Sequence, residues 1–269
     1  MLTYRFLTAG FAACAMAALP VRAADIQGHA ASYQITVEKP PENTKVTGQV
    51  STTLSKTCDG WSYSSALFYT VERGARGNVK SDSYQEGLKF TEALDGTKLQ
   101  YDGRYHVGGR GEEARGTATL GADRSGVLDV KSDKLPRKVD LPAQTLLPIA
   151  LRGRLIDALT SDDPARARGP FPVRTIELGR FYTAVDLTLA LAPPLPTLKP
   201  PPPNVTSPLL RKRAWTLKQT SKTLAEWMES TFVLHESGVI TRFTFQREGI
   251  VWRADIKELN IFATPQCGG

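Results

Sequence analysis

The side chains of this 269-residue sequence with chemistry beyond packing are three cysteines, three histidines and a few clustered charges. Cys14 sits in an apolar N-terminal run, which leaves Cys58 and Cys267. Their spacing fits neither a zinc-ligand pattern nor a CxxC redox motif. In an oxidising compartment such a pair reads as a disulfide; two free buried thiols are the alternative. His29, His106 and His235 lie in no HxH, HExxH or Cys/His arrangement, so no metal site and no cofactor is assigned. His106 precedes Gly108-Gly109-Arg110-Gly111, which lacks GxGxxG and Walker spacing and reads as a hairpin loop. With no GxSxG elbow, SxxK or Cys–His nucleophile, no catalytic residue is assigned either. Glu112-Glu113 and Asp162-Asp163 read as solvated carboxylates at turns. The cations Arg152, Arg154, Arg166, Arg168, Arg174, Arg180 and Arg211-Lys212-Arg213 form a basic set. That set could face anionic lipid headgroups or an acidic envelope polymer, or simply be solvated.

The elements that must position these groups begin after a targeting segment. Arg5 precedes a mostly apolar run from Phe6 to Leu19, and Val21-Arg22-Ala23 offers small residues at the −3 and −1 positions of a signal-peptidase site. The run is too short for a membrane-spanning helix, and no later apolar stretch is long enough. Residues 1–23 are therefore expected to be a signal peptide and the mature chain to be exported. Cleavage would remove two of the 34 basic residues and none of the 27 acidic ones, lowering the net charge from +7 to +5. An exported chain is not expected to bind nucleic acid, and the composition, 41% hydrophobic and 23% charged, excludes a disordered or fibrous protein.

From Ala31 onward period-two alternation dominates. Tyr33, Ile35 and Val37 alternate with polar neighbours, and Val46–Thr57 is rich in β-branched residues. Trp61, Tyr63, Ser65, Leu67, Tyr69 and Val71 share one face of a strand. Turns are expected at Arg73–Asn78, Glu86-Gly87, Asp95-Gly96 and Asp102-Gly103. Asp95-Gly96 gives the best hairpin signal. Strands follow at Arg115–Leu120, Val127–Ser132, Val173–Leu178 and Phe181–Leu191. A meander closes the chain through Glu226–Glu236, Val239–Phe245 and Ile250 onward, with a helix over Lys222–Ser230 as the alternative for that stretch. One helix interrupts the strands: Thr145 can cap it, Pro148 suits its first turn, and Leu147, Leu151, Leu155 and Leu159 recur every four residues. Residues 193–208, half of them proline, read as extended polyproline loop. A dozen or more strands predict a large antiparallel sheet that curls or closes into a barrel with one packed helix. Residues 24–269 then form a single domain. The alternative is two domains split at the proline-rich loop, which a Cys58–Cys267 bond would argue against.

Three elements resemble a known family: Cys58-Asp59-Gly60-Trp61 opening a strand, the ending from Trp215 through Ser237-Gly238-Val239 to Cys267, and Leu141-Pro142-Ala143-Gln144-Thr145-Leu146-Leu147-Pro148. Together they resemble the cell-envelope integrity protein B (EipB-like) family of periplasmic proteins. The resemblance implies a spiral, incompletely closed β-barrel closed off by a disulfide between the two cysteines. It also implies a part in keeping the envelope intact under stress, without established enzymatic activity. Such barrels are similar in outline to carriers that hold acyl chains on a concave apolar surface. The chain departs from the family where Ile149-Ala150-Leu151 replaces a histidine, and in the 193–208 insert. The function expected is a monomeric, non-enzymatic envelope protein that binds a partner protein or an apolar lipid or peptide ligand. The alternative is a hydrolase or transferase acting on an envelope glycan or lipid. A barrel interior of converging, perturbed polar groups would favour the enzyme, and an apolar lining the binder.

Overall fold

Inward side chains at every second position drive the chain into strands. On β1 (His29–Val37), His29, Ala31, Tyr33 and Ile35 are buried while Gln34 and Thr36 face solvent. The computed structural model describes residues 26–37, 40, 42–74, 79–107, 110–132, 137–163, 167–178, 183–193, 205–222, 227–247 and 250–267. The expected signal peptide, and the proline-rich loop over 194–204, lie outside the described residues.

Strands β2 (Thr44–Lys56), β3 (Gly60–Arg73), β4 (Lys80–Ala93), β5 (Lys98–Val107), β6 (Arg110–Leu120), β7 (Gly126–Ser132) and β8 (Arg137–Leu141) follow as an antiparallel meander. After β9 (Thr145–Leu146) and α1 (Pro148–Leu159) come β10 (Phe171–Glu177), β11 (Thr183–Leu191), β12 (Ala214–Lys222), β13 (Trp227–His235), β14 (Ile240–Arg247) and β15 (Ile250–Ile261). All fifteen strands form one sheet, ordered β8-β7-β6-β5-β4-β3-β2-β1-β15-β14-β13-β12-β11-β10-β9. The pairing of β1 with β15, from His29↔Ile261 to Val37↔Trp252, joins the two halves. The sheet is thus a nearly closed barrel whose one seam lies between β8 and β9. Among the described residues the only parallel pairing is short, Arg174↔Thr145 and Thr175↔Leu146.

Several expected details are corrected. Glu86-Gly87 and Asp102-Gly103 are not turns: Gly87 pairs with both Ala66 and Arg104, and Gly103 with both Leu88 and Ala114. A ladder on each side satisfies their backbone groups, which outweighs the local glycine signal. Glu112-Glu113 likewise lie inside β6, opposite Tyr105 and Arg104, and His106 is a strand residue opposite Gly111; Gly108-Gly109 lie outside the described residues. Residues 227–230 extend β13 rather than forming a helix. The Asp95-Gly96 hairpin stands as expected: Gly96 has φ +63°, donates to the Ala93 carbonyl at 2.8 Å, and Thr97 donates to Asp95 Oδ1 at 2.9 Å. Strands β11 and β12 pair across the proline-rich segment, from Leu187↔Ser221 to Leu191↔Leu217.

Two apolar clusters fill the interior. The first gathers Trp61, Phe90, Leu99, Leu128 and the inner side of α1, where Ile149, Gly153, Leu155, Ile156 and Leu159 are buried. The second gathers Tyr33, Ile35, Tyr69, Val71, Trp252 and Ile256. Aromatic rings organise both: Tyr63 stacks on Phe90 at 4.8 Å, and Tyr69 on Tyr84 at 4.5 Å, with Trp252 tilted at 4.8 Å from Tyr69. Gly48 allows this arrangement, because a Cβ there would come within 2.5 Å of the Tyr69 Cβ.

Candidate functional site

The groups with unusual chemistry meet inside the barrel, around α1. Glu92 stands in the inward row of β4 between Trp61 of β3 and Leu99 of β5, and is only 2% exposed. Its Oε2 accepts the backbone N–H of Ile149 at 2.8 Å and its Oε1 that of Ala150 at 2.7 Å. The helix is therefore capped by a carboxylate from a distant strand. Thr145, the expected cap, is a β9 residue whose hydroxyl donates to the Pro142 carbonyl at 2.6 Å; Leu147 occupies the N-cap position with no side-chain cap. A helix N-terminus is where a negative charge is stabilised, and a buried one needs acceptors for its free N–H groups. Burial nonetheless dominates and pushes the Glu92 carboxyl up to about 7, against the two backbone hydrogen bonds and the charges of Arg152 and Arg124.

His29 titrates in the opposite sense. It is 3% exposed and its Nδ1 lies 2.7 Å from the Gln27 carbonyl. Burial drives its pKa down to about 4, opposed by that hydrogen bond and reinforced by the Arg152 charge. Tyr33, whose hydroxyl donates to the Ile240 carbonyl at 2.8 Å, is pushed up to about 12 by burial. Arg152 is thus not part of an outer basic face: it is half-buried on α1, acts on His29, Tyr33 and Glu92, and reaches the Gly238 carbonyl at 3.4 Å. Glu92, missed in the sequence, shares strand parity with the inward Phe90; that parity was its only local signal.

The remaining cations are dispersed. Arg174 forks onto Asp186 at 2.6 and 3.2 Å, and Arg213 meets Glu236 at 3.0 Å. Arg154, Arg168, Arg211 and Lys212 are exposed, whereas Arg166 and Arg180 lie outside the described residues. The face of β3–β7 opposite α1 carries a shallow trough of about 790 Å³ lined by Ser62, Ser64, Lys89, Asp102, Arg115 and Lys131. Arg115 and Asp102 pair across it at 3.0 Å. Among the described residues no group of three or more His, Cys, Asp or Glu is placed to hold a metal ion, and no helix is long and apolar enough to cross a membrane.

Cys58, in the turn between β2 and β3, and Cys267, beyond the end of β15, lie at disulfide-bonding distance with Cα atoms 5.5 Å apart. Their position corrects one expectation, that this bond closes off the barrel: β1 and β15 are already joined by their ladder, and the seam lies elsewhere.

Comparison with known proteins agrees with this architecture. The model of the family described as EipB-like matches residues 20–161. A crystal structure of a β-barrel-like protein of domain of unknown function DUF1849 from Brucella abortus is similar in fold. It has a TM-score of 0.72 and 16% identity, covering 88% of this chain and 99% of that one. No curated protein sequence matches.

Proposed function

The chain belongs to the EipB-like family, and from that premise we propose that it is a periplasmic binding protein that supports envelope integrity by holding an apolar lipid or peptide ligand in its barrel. On this reading residues 1–23 are a leader removed at Ala23, and residues 24–269 act as one domain. The observation that carries the reading is the second apolar cluster, in which Tyr33, Ile35, Tyr69, Val71, Trp252 and Ile256 converge inside the barrel. The perturbed groups do not favour the enzyme alternative. Both oxygens of Glu92 are engaged by helix N–H groups, and His29 is engaged with Gln27, so each has a structural duty, and burial accounts for its titration.

Native mass spectrometry of protein purified from its own periplasm tests this. A retained lipid or peptide mass, lost on unfolding, is the expected result. Bare polypeptide alone, from a preparation in which a known periplasmic carrier keeps its cargo, overturns the reading.

A further inference from the structure

The second apolar cluster already has an occupant from its own chain. Val205 is 2% exposed and belongs to that cluster, and Leu209 and Leu210 pack against it half-buried. The segment that delivers them is shaped for the purpose. Ser207 accepts the Leu209 N–H on its Oγ at 3.2 Å and the Leu210 N–H on its carbonyl at 3.0 Å, which starts the one-turn 3-10 helix Pro208–Arg211. Among the described residues its hydrogen-bonded attachment to the barrel is otherwise slight. Ser237 Oγ donates to the Leu209 carbonyl at a long 3.4 Å, and residues 205–211 join no strand of the sheet.

From this we infer that residues 205–211 are an intramolecular strap, whose Val205, Leu209 and Leu210 occupy the apolar site and must be displaced when an acyl chain enters. The inference rests on the proposed apolar-ligand function. Three aliphatic side chains within six residues present the chemistry of a short hydrocarbon segment, while the described backbone N–H bonds of the strap are internal. Leaving the cluster therefore costs it apolar burial rather than ladder hydrogen bonds. A site closed by its own chain binds more weakly in proportion to the fraction of molecules that are open.

The test uses the full-length mature protein and cis-parinaric acid, a fluorescent long-chain fatty acid. Replacing Val205, Leu209 and Leu210 together by Ser is expected to tighten probe binding at least about tenfold. In the wild-type protein, saturating probe is expected to speed hydrogen exchange at the Leu209 and Leu210 amides while β1 and β15 become better protected. Equal affinity in the two proteins overturns the strap but leaves the binding function standing. No binding to either, with the variant folded by circular dichroism, overturns the binding function and the strap with it. If the triple variant does not fold, the wild-type exchange decides, and strap protection unchanged at saturation overturns the inference.

Discussion

Glu92 caps α1 by accepting the backbone N–H of Ile149, 57 residues further along the chain, in a hydrogen bond of 2.8 Å. The relationship spans the barrel's seam. Glu92 belongs to the half of the sheet that ends at β8, whereas α1 leads into β10 on the other side. Where no ladder joins β8 to β9, a buried carboxylate on helix amides ties the two halves together.

Removing that carboxylate leaves two N–H groups of α1 without acceptors in a buried setting. Each unsatisfied buried donor costs about 1–3 kcal/mol, so Glu92→Ala is expected to lower stability by about 2–6 kcal/mol at pH 4.5, where the contribution of Glu92 is fully present. Urea unfolding followed by tryptophan fluorescence measures it. A loss under about 0.5 kcal/mol, the size of an ordinary surface substitution, would show that water replaces the cap.

The buried acid and the buried base give stability opposite dependences on pH. Glu92, raised from 4.5 to about 7, contributes stability that is fully present below 4.5 and is lost as pH rises through about 7. His29, lowered from 6.5 to about 4, contributes stability that is present above 6.5 and is lost as pH falls through about 4. Between pH 4.5 and 6.5 the two slopes oppose each other. Taken relative to wild type, Glu92→Gln should therefore gain stability with rising pH across that window, by about 1.4 kcal/mol per pH unit. His29→Gln should show the reverse slope. Urea midpoints at half-unit pH steps separate the two, and parallel pH profiles for both variants and wild type would rule the opposition out.

Local pattern carried most of the strands but not their closure. The alternation of Trp61, Tyr63, Leu67, Tyr69 and Val71 announces β3, since each bulky side chain at period two must face the same interior. By contrast β8 offers Arg137, Lys138 and Asp140, whose charge hides an edge strand, and β9 has two residues. The β1–β15 pairing depends on register between opposite ends of the chain, which no local window contains. The Glu92 cap fails to appear in sequence for the same reason: capping motifs are read within one turn, and this acceptor arrives from another element. Val205 follows a run of prolines and so reads as loop, although its side chain is among the most deeply buried.

The Cys58–Cys267 pair is expected to be bonded and to matter for stability. The two residues are 209 positions apart with Cα atoms 5.5 Å from one another, within the span a disulfide requires. Because the β1–β15 ladder already holds the neighbouring strands together, the bond has little to add to the folded barrel; its effect falls on the unfolded chain. Closing a ring of that length removes chain entropy equivalent to about 5 kcal/mol in the loop-closure treatment. Residual structure in the denatured ensemble lowers the effect, and about half of it is still a large share of the roughly 5–15 kcal/mol by which a domain is held folded. Cys58→Ser, Cys267→Ser and the double variant should then lose similar amounts of stability, since each opens the same ring. Thiol titration of the unfolded, unreduced mature protein should find no free thiol. Two reactive thiols, or a serine variant that melts with the wild type, would show that the two sulfurs only pack side by side.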